Sequence, residues 1–338
     1  MATVSDIPVA SPLEERINAD LARVEELLST SVRESRAFVN ELLSHLSTAG
    51  GKRIRPLLTL LCAHLAGAGE AASEQVIAAA TSVEMTHLAS LYHDDVMDAA
   101  PQRRGVPAAQ MQWGNNRAIL AGDVLFSRAS KLTAGLGTEA VDYHARTFER
   151  LCLGQLNETF GPTDGEDRVD FYVQVLADKT GSLINAAAVF GAMFGGARPQ
   201  TVEAVGEYGE QVGIAFQLAD DVIDLTSDSE LTGKTPGTDL VEGVSTLPVL
   251  LLHQDRERGE LDECGKQILQ ALEHEDLRDP AVLSGVVEKL ANHAAVERTR
   301  SMARTYVDKA IDALSAVEEC EAKNLLVDFA HQMVDRIS

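Results

Sequence analysis

From Leu13 onward, apolar residues recur at helical spacing, with Ile17, Leu21, Val24, Leu27 and Leu28 along one face. That periodicity marks an amphipathic helix. The pattern runs on until Gly50-Gly51 breaks it, and Pro56 then suits the first turn of a following helix, where its missing N–H is not needed. Further helical stretches are predicted over 73–98, 115–135, 138–160, 168–194, 200–225, 245–255, 262–274, 280–315 and 318–337. Breaks fall at Pro101–Pro107, Gly161-Pro162, Gly195–Pro199 and Gly233–Gly237. No alternating strand pattern and no low-complexity linker divides the chain. The expectation is an all-α fold, with a flexible tail over 1–12 and a single domain over 13–338.

Composition supports helices: alanine is abundant, while aromatic residues make up only 4% of the 338 residues. With 45% hydrophobic and 24% charged residues, general disorder is excluded. The balance of 29 basic against 52 acidic residues gives a formal charge of −23. Such a surface repels nucleic acid, so none is expected as a partner, and an anionic substrate would need a local basic patch. Cys62, Cys152, Cys264 and Cys320 are far apart and form no C-x-x-C pair, which fits free thiols in a reducing cytoplasm. The N-terminal residues carry neither a basic segment nor a hydrophobic run, and no apolar run nears the ~20 residues needed to span a bilayer.

One device occurs twice. In the segment His93-Asp94-Asp95-Val96-Met97-Asp98, helical spacing aligns His87, Ser90, Asp94 and Asp98 on one face. In Gln217-Leu218-Ala219-Asp220-Asp221-Val222-Ile223-Asp224, it aligns Gly213, Gln217, Asp220 and Asp224. Carboxylates one turn apart repel, and the apolar residues around them imply partial burial. A cation would offset both costs, and oxygen-only ligands suit Mg2+ shared with phosphate groups. A single copy would fit a solvated acidic face equally well, but two copies in apolar surroundings favour metal ligation. Basic residues cluster around glycines: Lys52, Arg53 and Arg55 after Gly50-Gly51, then Arg103-Arg104-Gly105, Lys179-Thr180, and Lys234 between Gly233 and Pro236-Gly237. Singly these are ordinary surface cations. Together they offer two anion sites, one bridged by metal and one held by basic groups alone.

With these motifs in place, the sequence resembles the trans-isoprenyl diphosphate synthases (polyprenyl synthetases), of the long-chain type. The likeness rests on GGKRIRP (Gly50–Pro56), HDDVMD and RRG (His93–Asp98, Arg103–Gly105), Lys179-Thr180, FQLADDVID (Phe216–Asp224), GKTPGTDL (Gly233–Leu240) and TLP (Thr246–Pro248). The resemblance implies an antiparallel helical bundle around a deep cavity, usually a homodimer. It implies that Lys52, Arg55, His87 and Arg104 hold isopentenyl diphosphate. Arg103, Lys179, Thr180, Gln217 and Lys234 would face an allylic prenyl diphosphate. Asp94, Asp98 and Asp220 would bind Mg2+ directly, with Asp95, Asp221 and Asp224 as ligands or in support; Asp224 is taken with the metal set, and Asp94, Asp95, Asp98, Lys179, Asp220 and Asp221 as catalytic. About three Mg2+ ions are implied, drawing charge from the departing diphosphate. Pro101 and Val244 stand where many relatives carry an acidic residue and a lysine.

Product length turns on the positions just before the first motif. There this chain has Thr86, Ala89 and Ser90 rather than the aromatic residues that close the product channel in short-chain members. The expectation is a C30 to C50 product of the quinone side-chain kind, released with transient membrane contact. The alternatives are a geranylgeranyl or farnesyl diphosphate synthase, with Met85, Phe126 or Phe190 closing the channel, a class I terpene cyclase, or a regulatory subunit. The cyclase reading is disfavoured because the second motif is Asp220-Asp221-x-x-Asp224 and because GGKRIRP has no purpose without isopentenyl diphosphate.

Overall fold

A computed structural model of the chain describes residues 11–67, 71–226, 236–335 and 337. The helices are α1 (Pro12–Ser31), α2 (Ala37–Thr48), α3 (Ile54–Ala63), α4 (Glu74–Met97), α5 (Ala109–Trp113), α6 (Asn115–Ala134), α7 (Thr138–Phe160), α8 (Arg168–Leu176), α9 (Ser182–Phe194) and α10 (Pro199–Thr226). After these come α11 (Thr238–Glu242), α12 (Leu247–Arg258), α13 (Glu263–His274), α14 (Pro280–Ala291), α15 (Ala294–Ala313) and α16 (Glu321–Asp335). Among the described residues the only sheet is a hairpin of two short strands, β1 (Gln102–Arg103) and β2 (Val106–Pro107). The all-α expectation holds. No described helix is long and apolar enough to cross a membrane.

The described chain clusters into two compact units. The first comprises the chain up to Glu149 with Leu183–Gly209 and Ala313–Leu326; the second comprises Arg150–Ser182, Glu210–Asp312 and the end of the chain from Val327.

In the first unit α4 is the central helix, packed against α1, α3 and α6. Its apolar residues surround it on all sides, including the fully buried Met85, Leu88, Ala89 and Tyr92. Ser73 caps it, accepting the Val76 N–H at 3.3 Å. α1 starts on a capping box between Ser11 and Glu14 with Pro12 in its first turn, so the tail expected over 1–12 ends in helix, and residues 1–10 lie outside the described set. α1 ends at Ser31, with Val32 as its cap, rather than continuing toward Gly50. The segment Arg33–Arg36 offers nothing apolar to bury, and the Asn40 side chain accepts the Glu34 N–H at 3.0 Å as the chain turns into α2. Tyr92 joins α4 to α2 by donating its hydroxyl to Leu42 O at 2.5 Å.

In the second unit α8 packs on α12, α12 on α13, and α13 on α14. Aspartates cap three of these helices: Asp167 at α8, Asp262 at α13 and Asp279 at α14. The helix predicted over 168–194 forms, but a π turn at Ala177–Gly181 interrupts it. The helix predicted over 280–315 divides at Asn292-His293, where the His293 ring accepts the Ala295 N–H at 3.1 Å and so caps α15.

Candidate active site

The first unit gathers a cluster of guanidinium groups beneath the Gly50–Lys52 turn. Arg53 adopts a left-handed backbone at φ 52° as it enters α3. Its side chain is buried, with donors on Glu25, on Glu84 Oε1 at 3.0 Å and on the carbonyls of Ser47 (3.0 Å) and Gly50 (3.3 Å). Arg104 and Gly105 both have positive φ, as the tight type I′ turn between β1 and β2 requires. That turn aims Arg104 back across the loop, where it donates to Leu46 O at 2.9 Å and to Gly50 O. Gly51 lies between the two guanidiniums: a Cβ there would come within 2.8 Å of Arg53 Nη1 and 2.9 Å of Arg104 Cζ. Only glycine fits this place.

Arg55 is half-buried, its Nε has no hydrogen-bond partner among the described residues, and burial pulls its pKa down to about 10. Glu84, 2% exposed, is the carboxylate in this field. Burial raises its pKa, and Arg53, Arg55 and Arg104 pull it back down. Burial, and then the surrounding arginines led by Arg55, hold the His87 imidazole well below its ordinary pKa. His87 is therefore neutral at physiological pH. Hence three of the residues implied for isopentenyl diphosphate (Arg55, His87 and Arg104) share one electrostatic environment, with Lys52 exposed on the adjoining turn.

Along α4, Asp94 and Asp98 follow on the same face, one turn apart. Asp95 points elsewhere. It is fully buried and accepts Arg103 Nε at 2.7 Å, while Gln110 ties down its backbone carbonyl at 2.8 Å. Burial raises its pKa and Arg103 opposes the rise. Arg103 is thus engaged by a carboxylate. Thr86 and Ser90 turn their hydroxyls onto their own helix, onto Ser82 O and His87 O, and Ala89 is buried among the residues between α4 and α6.

In the second unit Asp220 and Asp224 lie one turn apart on α10, both half-buried, with Gln217 on the same stripe. Asp224 accepts the Thr238 N–H at 3.2 Å and the Asp239 N–H at 3.4 Å, at the start of α11. Asp221 is buried and takes the Tyr172 hydroxyl on both oxygens, at 3.0 and 2.9 Å, with the Leu247 N–H on Oδ2 at 3.2 Å. Desolvation pushes its pKa up to about 8 against those hydrogen bonds. Lys179 and Thr180 sit in the π turn, a feature that recurs at functional sites. Lys179 pairs with Glu158, and Arg150 braces the turn by reaching Asp178 and Glu210, each at 2.8 Å. A Cβ at Gly154 would lie 2.7 Å from Lys179 N, so glycine is needed where α7 passes this turn. Lys234 lies outside the described residues.

Among the described residues no three acidic, histidine or cysteine side chains converge as a closed metal cage requires. Two carboxylates one turn apart, repeated, are what Mg2+ needs when substrate phosphates and water complete its shell. The donor sets fit that ion. Sequence reasoning missed Glu84, Tyr172 and Glu158. A signal for Glu84 was available, since it is the only acidic or basic residue between Glu74 and Asp94 apart from the histidines.

The chain has relatives among known proteins. Residues 36–283 match the family Polyprenyl synthetase. A nonaprenyl diphosphate synthase from Mycobacterium tuberculosis is 42% identical, over 95% of this chain and 93% of its own length. Among solved structures, a geranylgeranyl pyrophosphate synthase from Corynebacterium glutamicum complexed with calcium and isoprenyl diphosphate superposes with a TM-score of 0.85 at 38% identity, covering 98% of this chain and 100% of that one. A decaprenyl diphosphate synthase from Rhodobacter capsulatus gives 0.84 at 31% identity, covering 96% and 98%. The match spans all the motifs, from Gly50–Pro56 to Thr246–Pro248, and the chain belongs to the polyprenyl synthetase family, the trans-isoprenyl diphosphate synthases.

Proposed function

We propose that this chain condenses isopentenyl diphosphate with an allylic prenyl diphosphate, repeatedly, to give an all-trans product of C30 to C50. The observation that carries the reading is the guanidinium cluster around Gly51, with neutral His87 beside it, on the unit that also holds the Asp94–Asp98 stripe. Lys52, Arg55 and Arg104 take the diphosphate of isopentenyl diphosphate as cations, and neutral His87 serves as a hydrogen-bonding group. Asp94 and Asp98, and likewise Asp220 and Asp224, hold Mg2+. Bound Mg2+ withdraws charge from the allylic diphosphate and so favours its departure. Lys179, Thr180, Gln217 and Lys234 stabilise charge on that leaving group, with Lys179 drawn from Glu158. Arg103 acts chiefly by holding Asp95. The isopentenyl double bond then attacks the allylic cation, and a proton passes to the released diphosphate. No side-chain nucleophile is used.

The long product is favoured by the 42% identical nonaprenyl relative and by small residues before the first motif. Thr86 and Ser90, rather than Ala89 in its helix–helix seam, are the residues we assign to the channel wall. A homodimer is supported by the exposed apolar side chains Ile119, Leu120 and Val124 on α6. The four unpaired cysteines suit the cytoplasm. The test is to incubate the protein with Mg2+, labelled isopentenyl diphosphate and farnesyl or geranylgeranyl diphosphate, and to size the products. A ladder ending between C30 and C50 supports the reading, and Ser90→Phe should shorten it. Termination at C15 or C20 in the unaltered chain would refute the open channel while leaving the condensation in place.

A further inference from the structure

Arg53 sits in the same basic motif as Lys52 and Arg55, yet its environment is different. Its Nε, Nη1 and Nη2 atoms all have protein acceptors: Glu25, Glu84, Ser47 O and Gly50 O. A guanidinium so occupied has no donor left to grip a phosphate. What it grips is the turn. Its bond to Gly50 O, together with the Arg104 bond to the same carbonyl, fixes the backbone that leads through Gly51 to Lys52. Glu84 reaches it from α4, buried at 2% exposure, and also lies in the field of Arg55 and Arg104. A buried carboxylate this close to several guanidiniums offsets the cost of holding them out of water, and its loss would leave buried charge uncompensated.

We propose that Glu84 is a positioning residue: acting through Arg53, it sets the Gly50–Lys52 turn and thereby the geometry with which Lys52, Arg55 and Arg104 receive a diphosphate. Neither Glu84 nor Arg53 touches the substrate. The proposal rests on the assignment of Lys52, Arg55 and Arg104 to isopentenyl diphosphate. It separates two roles inside one motif, since the first and last of its three cations bind and the middle one fastens. The Arg53 backbone at φ 52° is consistent with this, because a strained conformation persists where its surroundings hold it.

The test uses the full chain with saturating Mg2+ and allylic primer. For Glu84→Gln we expect KM for isopentenyl diphosphate to rise about tenfold, while kcat and KM for the allylic primer change by less than about twofold. Glu25→Gln removes the partly exposed partner of Arg53 and should move KM in the same direction by about threefold; it decides the matter if Glu84→Gln does not fold. Amide exchange gives a readout independent of activity, with Gly51 and Lys52 exchanging faster in either variant than in the unaltered chain while α1 and α4 do not change. An unaltered isopentenyl diphosphate KM, or an equal loss in kcat and both KM values, would overturn the positioning role of Glu84. Failure of the unaltered chain to condense isopentenyl diphosphate would instead sink the substrate assignment, and the exchange measurement would still decide whether Glu84 sets the turn.

Discussion

Asp95 and Asp221 hold the same place in two copies of one motif, and both turn away from their neighbouring carboxylates into the protein. Their partners differ in kind. Asp95 meets a cation, Arg103, at 2.7 Å. Asp221 meets only neutral donors, the Tyr172 hydroxyl and the Leu247 N–H, in a fully desolvated place. Burial raises the pKa of both carboxyls; at Asp95 the Arg103 cation opposes the rise, whereas Asp221 has only neutral donors against desolvation and its pKa climbs to about 8. A repeat in sequence therefore marks which carboxylate turns into the protein, but leaves open how that residue is balanced. In each copy the outer carboxylates are the ones we assign to Mg2+, and the inner one anchors the following chain: the hairpin through Arg103 in one case, the start of α12 in the other.

The largest effect expected is at the outer residues. Asp94→Ala and Asp220→Ala should each lower kcat on the order of a thousandfold, with the fold kept, because they remove groups acting on charge that develops in the transition state. Steady-state incorporation of isopentenyl diphosphate checks this, and a loss at one stripe only would break the symmetry drawn between them. Next comes a pH effect that is strongest at the second motif. The raised pKa of Asp221 means that the folded protein keeps a proton which the unfolded chain has released between about pH 4 and pH 8, so stability falls as pH rises through that window. In metal-free protein, urea unfolding should show a decline of up to about 1.4 kcal/mol per pH unit there, and Asp221→Asn should flatten it.

Substitution to asparagine sharpens the contrast at fixed pH. Asp95→Asn should cost about 2 kcal/mol at pH 7, reduced from the full cost of breaking a buried pair because Arg103 is partly exposed. Asp221→Asn should be close to neutral near pH 4 and stabilising at pH 7, since the amide resembles the protonated acid and has no proton to release on unfolding. The smallest effect is Tyr172→Phe, which should cost about 1 kcal/mol by removing one neutral donor. Equal costs at Asp95 and Asp221 would dissolve the distinction between charged and neutral support.

Much of this arrangement was legible in the sequence. Helical spacing located α4 to within a residue at each end and put Asp94 with Asp98 and Asp220 with Asp224. The two stripes and the basic turns gave the chemistry, because carboxylates and guanidiniums cluster in apolar surroundings only for a reason. What escaped has local physical causes. The π turn at Ala177–Gly181 adds to a helix without disturbing its apolar pattern, so periodicity passes over it. The break at Arg33–Arg36 contains neither proline nor glycine and depends on what the segment fails to bury. α4 is surrounded by apolar partners on every side, so spacing alone could not say that Glu84 points inward while Asp94 and Asp98 do not. The different duties of Lys52, Arg53 and Arg55 depend on the left-handed backbone at Arg53, which the residue types do not announce.

We assign metal-dependent prenyl transfer to the paired carboxylates on α4 and α10. It is tested most directly by following incorporation of labelled isopentenyl diphosphate into a prenyl primer while Mg2+ is titrated from zero. The expected result is no incorporation in the presence of chelator, saturable activation by Mg2+, and no activation in Asp94→Ala. Incorporation that ignores Mg2+, or a folded protein that incorporates nothing at any Mg2+ concentration, would contradict it.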